Sequence, residues 1–251
     1  MKNALFSAAF AAVLVAGQAI DARPSQEHVS SPALGLEGIA WTASRDEEGP
    51  GMPRLRLAYE NSSNEFTLNA TESGFGEARR NLAASGGQVD FAIQRDAGTL
   101  DCSGRLRAAF HGRGACVFNA DPGFVNKLDA LNIGWRGDDL LAMALVDADE
   151  ALVDGLARAG IALRNADEVI AAAALDLSPE YLGELKRAGL PWLTIEDAVA
   201  CRAIGVDGTF VRGLVEAGYR PSVQQAIAMK AVGVTPEYAR NMNRAVRGQG
   251  Q

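Results

Sequence analysis

Cysteine and histidine are the residue types in this chain whose side chains most often bind metals or act as nucleophiles and bases. The sequence has three cysteines, Cys102, Cys116 and Cys201, and two histidines, His28 and His111. Neither histidine has the spacing to a cysteine or a serine that a metal site or a catalytic triad requires. We therefore expect no catalytic residue, no metal ligand and no cofactor.

Carboxylates are the remaining groups that could do chemistry, because a pair of them can act as acid and base on a glycan. The acidic residues of the second half are scattered over predicted helix surfaces, at Asp138, Asp139, Glu150, Asp154 and Glu168. This distribution is typical of a solvated helix face. A glycan-acting or other periplasmic hydrolase is kept as the alternative function.

The segment around the first two cysteines predicts a β-hairpin. Cys102 and Cys116 lie in stretches of alternating polarity, and His111-Gly112-Arg113-Gly114 between them is predicted to be the turn. A cross-strand disulfide between Cys102 and Cys116 is one interpretation, and two buried thiols without a bond are the other. Cys201 lies in an apolar helical stretch and is expected to be buried and inert.

The first residues have the pattern of a secretory signal. Lys2 precedes the apolar run from Ala4 to Ala16. Gly17-Gln18-Ala19 follows the run and has the small-x-small pattern that signal peptidase accepts. We expect a signal peptide over residues 1–19, cut after Ala19 or Ala22, and a periplasmic or secreted bacterial protein. A membrane anchor is the alternative, but the run is shorter than the about 20 residues that a spanning helix needs.

Charge narrows the classes of partner. The 251-residue chain has a formal net charge of -7, and no cluster of cations is evident along the sequence. Such a chain is repelled by nucleic acid and by anionic lipid. A helix-hairpin-helix nucleic-acid binder remains a remote alternative, because helix, glycine turn and helix follow one another in the second half. We expect no nucleic-acid partner and no stable membrane insertion after signal removal.

Two structural regions follow a flexible leader over residues 20–36. Residues 37–120 alternate with period two and predict a small antiparallel β-subdomain. The expected strands are Ile39–Ser44, Arg54–Glu60, Gln88–Gln94, Leu100–Arg107 and Ala115–Phe118, with a short helix over Glu77–Ala84.

Residues 121–247 contain a repeat of 28 or 29 residues. Apolar or aromatic residues recur in one register, at Phe124, Leu152, Tyr181, Phe210 and Tyr238. Capping residues before proline, such as Asp121 and Ser178, predict helix starts in the same register. The predicted fold class is therefore α+β, with the β-subdomain followed by an α-solenoid of two-helix repeats of 28–29 residues.

Large aromatic residues occur just past the helix-closing position of the repeat. Trp135 and Trp192 share this position. They are candidate residues of an interaction surface, and packing between neighbouring repeats is the alternative.

Two stretches resemble a known kind of protein. The segment VDFAIQRDAGTLDCSGRLRAAFHGRGACVFNADPGFVNKLDALNI resembles the β-hairpin that leads into the first repeat of certain exported bacterial proteins. The segments AIGVDGTFVRGLVEAGY and AMKAVGVTPEYARNMNRAV resemble the GVTPEY-type helical repeats that follow it. Such repeats also occur fused to BlaR-type metalloprotease antirepressors, but this chain has no HExxH motif. The resemblance covers roughly residues 88–246 and implies a periplasmic sensing or binding module.

These observations together predict an exported, non-enzymatic binding or sensing module. Its helical-repeat surface is expected to engage a protein or peptide partner.

Overall fold

The computed structural model describes residues 35–45, 52–68, 74–190 and 193–248, all within one compact unit. The strands are β1 (Gly35–Ser44), β2 (Arg54–Tyr59), β3 (Ser62–Thr67), β4 (Gly87–Arg95), β5 (Gly98–Ala108) and β6 (His111–Ala120). The helices are α1 (Gly76–Leu82), α2 (Pro122–Ala130), α3 (Gly137–Leu145), α4 (Glu150–Arg158), α5 (Ala166–Ala174), α6 (Pro179–Ala188), α7 (Ile195–Ile204), α8 (Gly208–Glu216), α9 (Val223–Ala231) and α10 (Pro236–Gly248).

The six strands form one antiparallel sheet in the order β3-β2-β1-β6-β5-β4. In β1, β2, β4, β5 and β6 the buried residues fall mostly at alternate positions, because one face of the sheet packs against helices and the other faces water. The buried face carries large apolar side chains, among them Trp41, Leu55, Phe91, Leu100 and Phe118. We call the face that packs against helices the inner face, and the face in water the solvent face.

The β5–β6 hairpin turns earlier than the sequence predicts. Ala108 pairs with His111, so the turn is Ala109–Phe110 and the predicted turn residues belong to strand β6. Phe110 takes a left-handed φ of 57° and is buried, and its N–H donates to the Leu82 carbonyl oxygen of α1 at 2.7 Å. Packing of Phe110 against α1 therefore stabilises the left-handed conformation that glycine usually adopts in such a turn.

The glycines of β6 make room for neighbouring side chains. A Cβ at Gly112 would lie 2.6 Å from Leu106 Cδ2, and a Cβ at Gly114 would lie 2.5 Å from the indole nitrogen of Trp41. Gly104, opposite Gly114 on β5, is equally close to the same indole. These glycines are required by close packing inside the sheet, which is why a turn assignment at this point is wrong.

Helix starts agree with the capping pattern of the sequence. The side chains of Asp121 and Ser178 accept hydrogen bonds from the N–H three residues on, and Thr194 and Ser222 form capping boxes. Asp149 and Asp207 cap α4 and α8 in the same way. Each cap satisfies a backbone N–H that has no partner within its helix. The 28–29-residue period is thus visible as a regular spacing of helix starts.

The predicted fold class is wrong in its second half, although the α+β class itself fits. A solenoid would bury the helices against one another, in a core separate from the sheet. Instead, apolar side chains of α2, α3, α4 and α5 lie in the same hydrophobic cluster as the inner face of the sheet. Helices α6 to α10 share a second cluster with the ends of α4 and α5. In residues 121–190 and 193–248 no solenoid repeat is seen, because the first helices form a common core with the sheet.

Candidate functional site

The two cysteines singled out in the sequence face each other on the neighbouring strands β5 and β6. Cys102 on β5 is the direct partner of Cys116 on β6, and both are buried on the inner face. The structure joins them in a disulfide, at a sequence separation of 14. Cys201 is buried in α7 with a free thiol. Burial raises the pKa of this thiol to about 11, and the nearby charge of Asp197 adds to the shift.

Of the two candidate interaction residues, Trp135 and Trp192, the structure describes Trp135. Trp135 is partly buried against the cluster shared by sheet and helices, and its indole N–H donates to Asp129 Oδ1 at 2.8 Å. Trp192 lies outside the described residues. The shared interaction surface of the two tryptophans remains a prediction.

The histidines do not converge on other ligands. His111 is a strand residue whose Nδ1 lies 3.0 Å from the Ala109 carbonyl oxygen, and His28 lies outside the described residues. Within the described ranges, no group of three or more His, Cys, Asp and Glu side chains is arranged to hold a metal ion.

Several of the acidic residues are engaged in ion pairs. Lys127 on α2 binds Glu150 at 2.8 Å and Asp154 at 2.7 Å, both on α4. Hydrogen bonds to Asp154 and then Glu150 raise the pKa of the Lys127 ammonium group. Glu168 accepts from Arg164 at 2.9 Å. These carboxylates tie helices or helix starts together, which a uniformly solvated face would not do.

A groove of about 300 Å³ lies between the sheet and the first helices. Its floor is apolar, with Ile39, Leu57, Leu141, Leu145 and Ile170. Its rim is acidic, with Glu60, Asp138, Asp139 and Asp167. An apolar floor with charged groups at the rim is a common composition of binding sites for peptides and small molecules.

The start of two helices and one hairpin turn bring these acids together. Asp138 and Asp139 lie in the first turn of α3, and Asp167 lies in the first turn of α5, where carboxylates stabilise a helix. Asp139 is committed to that role, because its Oδ2 accepts the Arg136 N–H at 2.8 Å. Glu60 is in the β2–β3 turn with a φ of 49°. The acidic rim thus follows from local backbone needs that coincide in space.

Strand β3 forms one side of the groove and one edge of the sheet. Ser62 and Asn64 line the groove from this strand. Within the described ranges, no strand pairs with the outer edge of β3. The opposite edge strand is covered, because α1 donates from Asn81 Nδ2 to the Asp90 carbonyl oxygen at 2.7 Å and accepts the Ala92 N–H at Glu77. Among the described residues, the sheet therefore has one protected edge and one open edge.

Strand β3 does not follow from the pattern of the sequence. Its sequence SSNEFT has a single apolar side chain, so no alternation of polarity marks it as a strand. The signal that could have revealed it is the Glu60-Asn61 pair, which follows β2 directly and forms the hairpin turn. The acidic residues of α3 were identified, but not their meeting with Asp167 and Glu60.

Membrane character and similarity to known proteins add two findings. In the part of the chain that the structure describes, none of the helices is both long and apolar enough to span a bilayer. No protein-family model, no curated protein and no solved structure matches the chain.

Proposed function

We propose that this chain is an exported, non-enzymatic binding module that captures an extended segment of a protein or peptide partner. The observation that carries the proposal is the groove beside the open edge of β3. An apolar floor, an acidic rim and an unpaired strand edge occur together there.

The open edge supplies backbone hydrogen bonds. Tyr59 and Ser62 close the β2–β3 hairpin, and alternation along β3 then directs the N–H groups of Ser63 and Glu65 away from β2. An extended segment can add to this edge as a further strand. Its alternate side chains would reach the groove, because Ser62 and Asn64 on the same strand line it.

The rim determines the charge of the partner. Glu60, Asp138 and Asp167 carry like charges around an apolar floor, and Arg136 partly balances Asp138 at 3.6 Å. Lysine or arginine side chains in the bound segment would neutralise them, whereas acidic side chains would be repelled. We therefore propose a partner segment whose groove-facing side chains, which are every second residue, include both apolar and basic residues.

Export is supported by two independent features. The pattern of residues 1–19 is that of a secretory signal, although these residues lie outside the described ranges. The Cys102–Cys116 disulfide is of a kind that persists in oxidising compartments. Cell fractionation with mass measurement of the purified protein tests this part, and we expect an N-terminus at Ile20 or Arg23. Recovery of the uncut chain from the cytosol would contradict export.

The binding site is tested with synthetic peptides on the full chain. The probe is a peptide in which valine and lysine take turns at every second position, with serine between them, and its matched control has glutamate in place of each lysine. Ser63→Pro removes an outward N–H from β3, and proline is tolerated on edge strands. Ser63→Pro and Ser63→Ala both remove the Ser63 hydroxyl, which accepts from Arg56 at 3.0 Å. Ser63→Ala keeps the backbone N–H and is therefore the matched control. We expect Ser63→Pro to weaken binding about tenfold, the effect of losing a hydrogen bond together with its geometry.

Ser63→Ala should bind the valine–lysine peptide as the parent protein does. The proposal is wrong if the two peptides bind equally well, if neither binds, or if the proline and alanine variants bind alike. Thermal unfolding of both variants shows whether the sheet is intact.

A further inference from the structure

The solvent face of the sheet brings together arginines that are far apart in the sequence. The strand register places Arg56 opposite Thr42, Thr42 opposite Arg113, and Arg113 opposite Arg105. These residues form a single transverse row over four neighbouring strands, and all of them are exposed. Because neighbouring strands lie about 4.8 Å apart, the row spans about 15 Å. We call Arg56, Thr42, Arg113 and Arg105 the arginine row.

The arginine row is unfavourable for the isolated protein. Arg105 and Arg113 are directly opposed, and like charges in such a pair destabilise a sheet. Within the described ranges, neither these two arginines nor the neighbouring Arg107 forms an ion pair with an acid. By contrast, Arg54 on the same face binds Glu65 at 3.1 Å. Within the described part of the chain, these cations of an acidic protein thus lack a compensating acid.

A depression of about 600 Å³ adjoins the row. Thr42 and Arg113 belong to both, and Arg107 and His111 complete the polar lining. Its remaining lining residues are Ala43, Ala108 and Gly112, which are small and leave the depression open. The volume is that of a small-molecule site. The described lining contains two guanidinium groups, a hydroxyl and an imidazole, and no carboxylate.

We propose that this depression binds a phosphate group of a small phosphate ester or polyphosphate. Arg107 and Arg113 hold the phosphate oxygens, because a guanidinium fork matches their geometry, and the Thr42 hydroxyl donates a further hydrogen bond. A dianion matches the two arginines in charge, whereas a single carboxylate would leave one uncompensated. Arg105 and Arg56 extend the positive surface to a second phosphate.

The site lies on the solvent face of the sheet and does not depend on the groove of the inner face. Lipid headgroups and soluble phosphates share the recognised chemistry, so the test contains both. Calorimetric titration of the full chain with inorganic pyrophosphate covers the soluble source. Sedimentation with phosphatidylcholine vesicles that contain phosphatidic acid covers the lipid source, and pure phosphatidylcholine vesicles are the blank.

Arg113→Gln is the informative variant, and Arg187→Gln, an exposed arginine of α6, is the matched control for net charge. We expect Arg113→Gln to weaken binding of pyrophosphate at least about tenfold, the loss of one charged hydrogen-bond pair. Arg187→Gln should bind as the parent does. Arg113→Gln should melt at the parent temperature or above it, because it removes a like-charge pair.

The outcomes distinguish a soluble phosphate from a lipid headgroup, and both from a failure of the proposal. Binding of pyrophosphate alone, lost in Arg113→Gln, identifies a soluble ligand. Binding of both probes with the same loss identifies a headgroup. The proposal is overturned if neither probe binds. It is also overturned if Arg113→Gln and Arg187→Gln weaken binding equally.

Discussion

The indole nitrogen of Trp41 on β1 donates to the carbonyl oxygen of Ser103 on β5 at 2.9 Å, although strand β6 runs between them. This contact passes over Gly114 of β6 and ends beside Gly104 of β5. Both positions lack a side chain, so the indole can lie flat against the backbone. Trp41 is fully buried there and also contacts the ring of Phe91, with centroids 5.3 Å apart.

Gly114→Ala should destabilise the protein. The new Cβ would overlap the Ser103 carbonyl oxygen and would lie 2.5 Å from the indole nitrogen, and neither can move away easily. We expect the free energy of unfolding to fall by about 1–3 kcal/mol, as for other overpacked cores, in denaturant titrations. Gly35→Ala on β1 is the control, because its Cβ would meet neighbours at 3.6 Å only. Equal effects of the two substitutions would contradict this account.

Removal of the disulfide should also destabilise the fold. Replacing Cys102 and Cys116 together by alanine should lower the free energy of unfolding by about 3 kcal/mol, since closing a loop of about 15 residues removes that much conformational entropy from the unfolded chain. A reducing agent should lower the stability of the parent and leave the double variant unchanged. Insensitivity of the parent to reduction, after the bond has been shown to open, would argue against this role.

Cys201 should make stability depend on alkaline pH. Burial raises the pKa of its thiol from the ordinary value of 9.0 to about 11, so the folded protein holds the proton more tightly than the unfolded chain. The contribution to stability is complete below 9.0 and is lost as the pH rises through the folded pKa. We expect Cys201→Ala to lose stability less steeply than the parent across this window. Parallel curves for the two proteins would show that the thiol does not titrate differently on folding.

Tyr181 and Tyr238 occupy the same position of the sequence period but have different surroundings. Tyr181 is buried and its hydroxyl donates to the Val206 carbonyl oxygen at 2.7 Å, whereas Tyr238 is 56% exposed. Tyr181→Phe should lower the free energy of unfolding by about 1–3 kcal/mol, because the Val206 carbonyl oxygen stays buried without its donor. Tyr238→Phe, the matched control, should leave the melting temperature unchanged. A similar loss in both variants would mean that the hydrogen bond is not the cause.

Local features of this fold could be predicted from the sequence and distant ones could not. The caps at Asp121, Ser178, Thr194 and Ser222 depend on residues within one helical turn, so their sequence pattern is sufficient. The glycines of β6 depend on Trp41, which is far away in the chain, and their turn-like composition was misleading. The shared core of sheet and early helices was missed for the same reason, because a period in sequence does not show which surface buries each helix.

The same distinction applies to the candidate sites. The acids of α3 were visible in the sequence, but the groove also needs β3, which has no strand pattern. Arg56, Arg105 and Arg113 appear as isolated cations until the register of four strands is known. Arg113 was moreover assigned to a turn, so its face of the sheet could not be inferred.

The arginine row gives this acidic molecule a preferred orientation during diffusion. With a net charge of -7, the protein as a whole is repelled by a polyanion, and this repulsion is screened beyond about 8 Å in physiological salt. At shorter range, the solvent face of the sheet is the surface that is attracted, because its guanidinium groups project together. Productive collisions with an anion should therefore be a small and orientation-selected fraction of all encounters, and lowering the salt should change their rate less than the net charge alone would suggest.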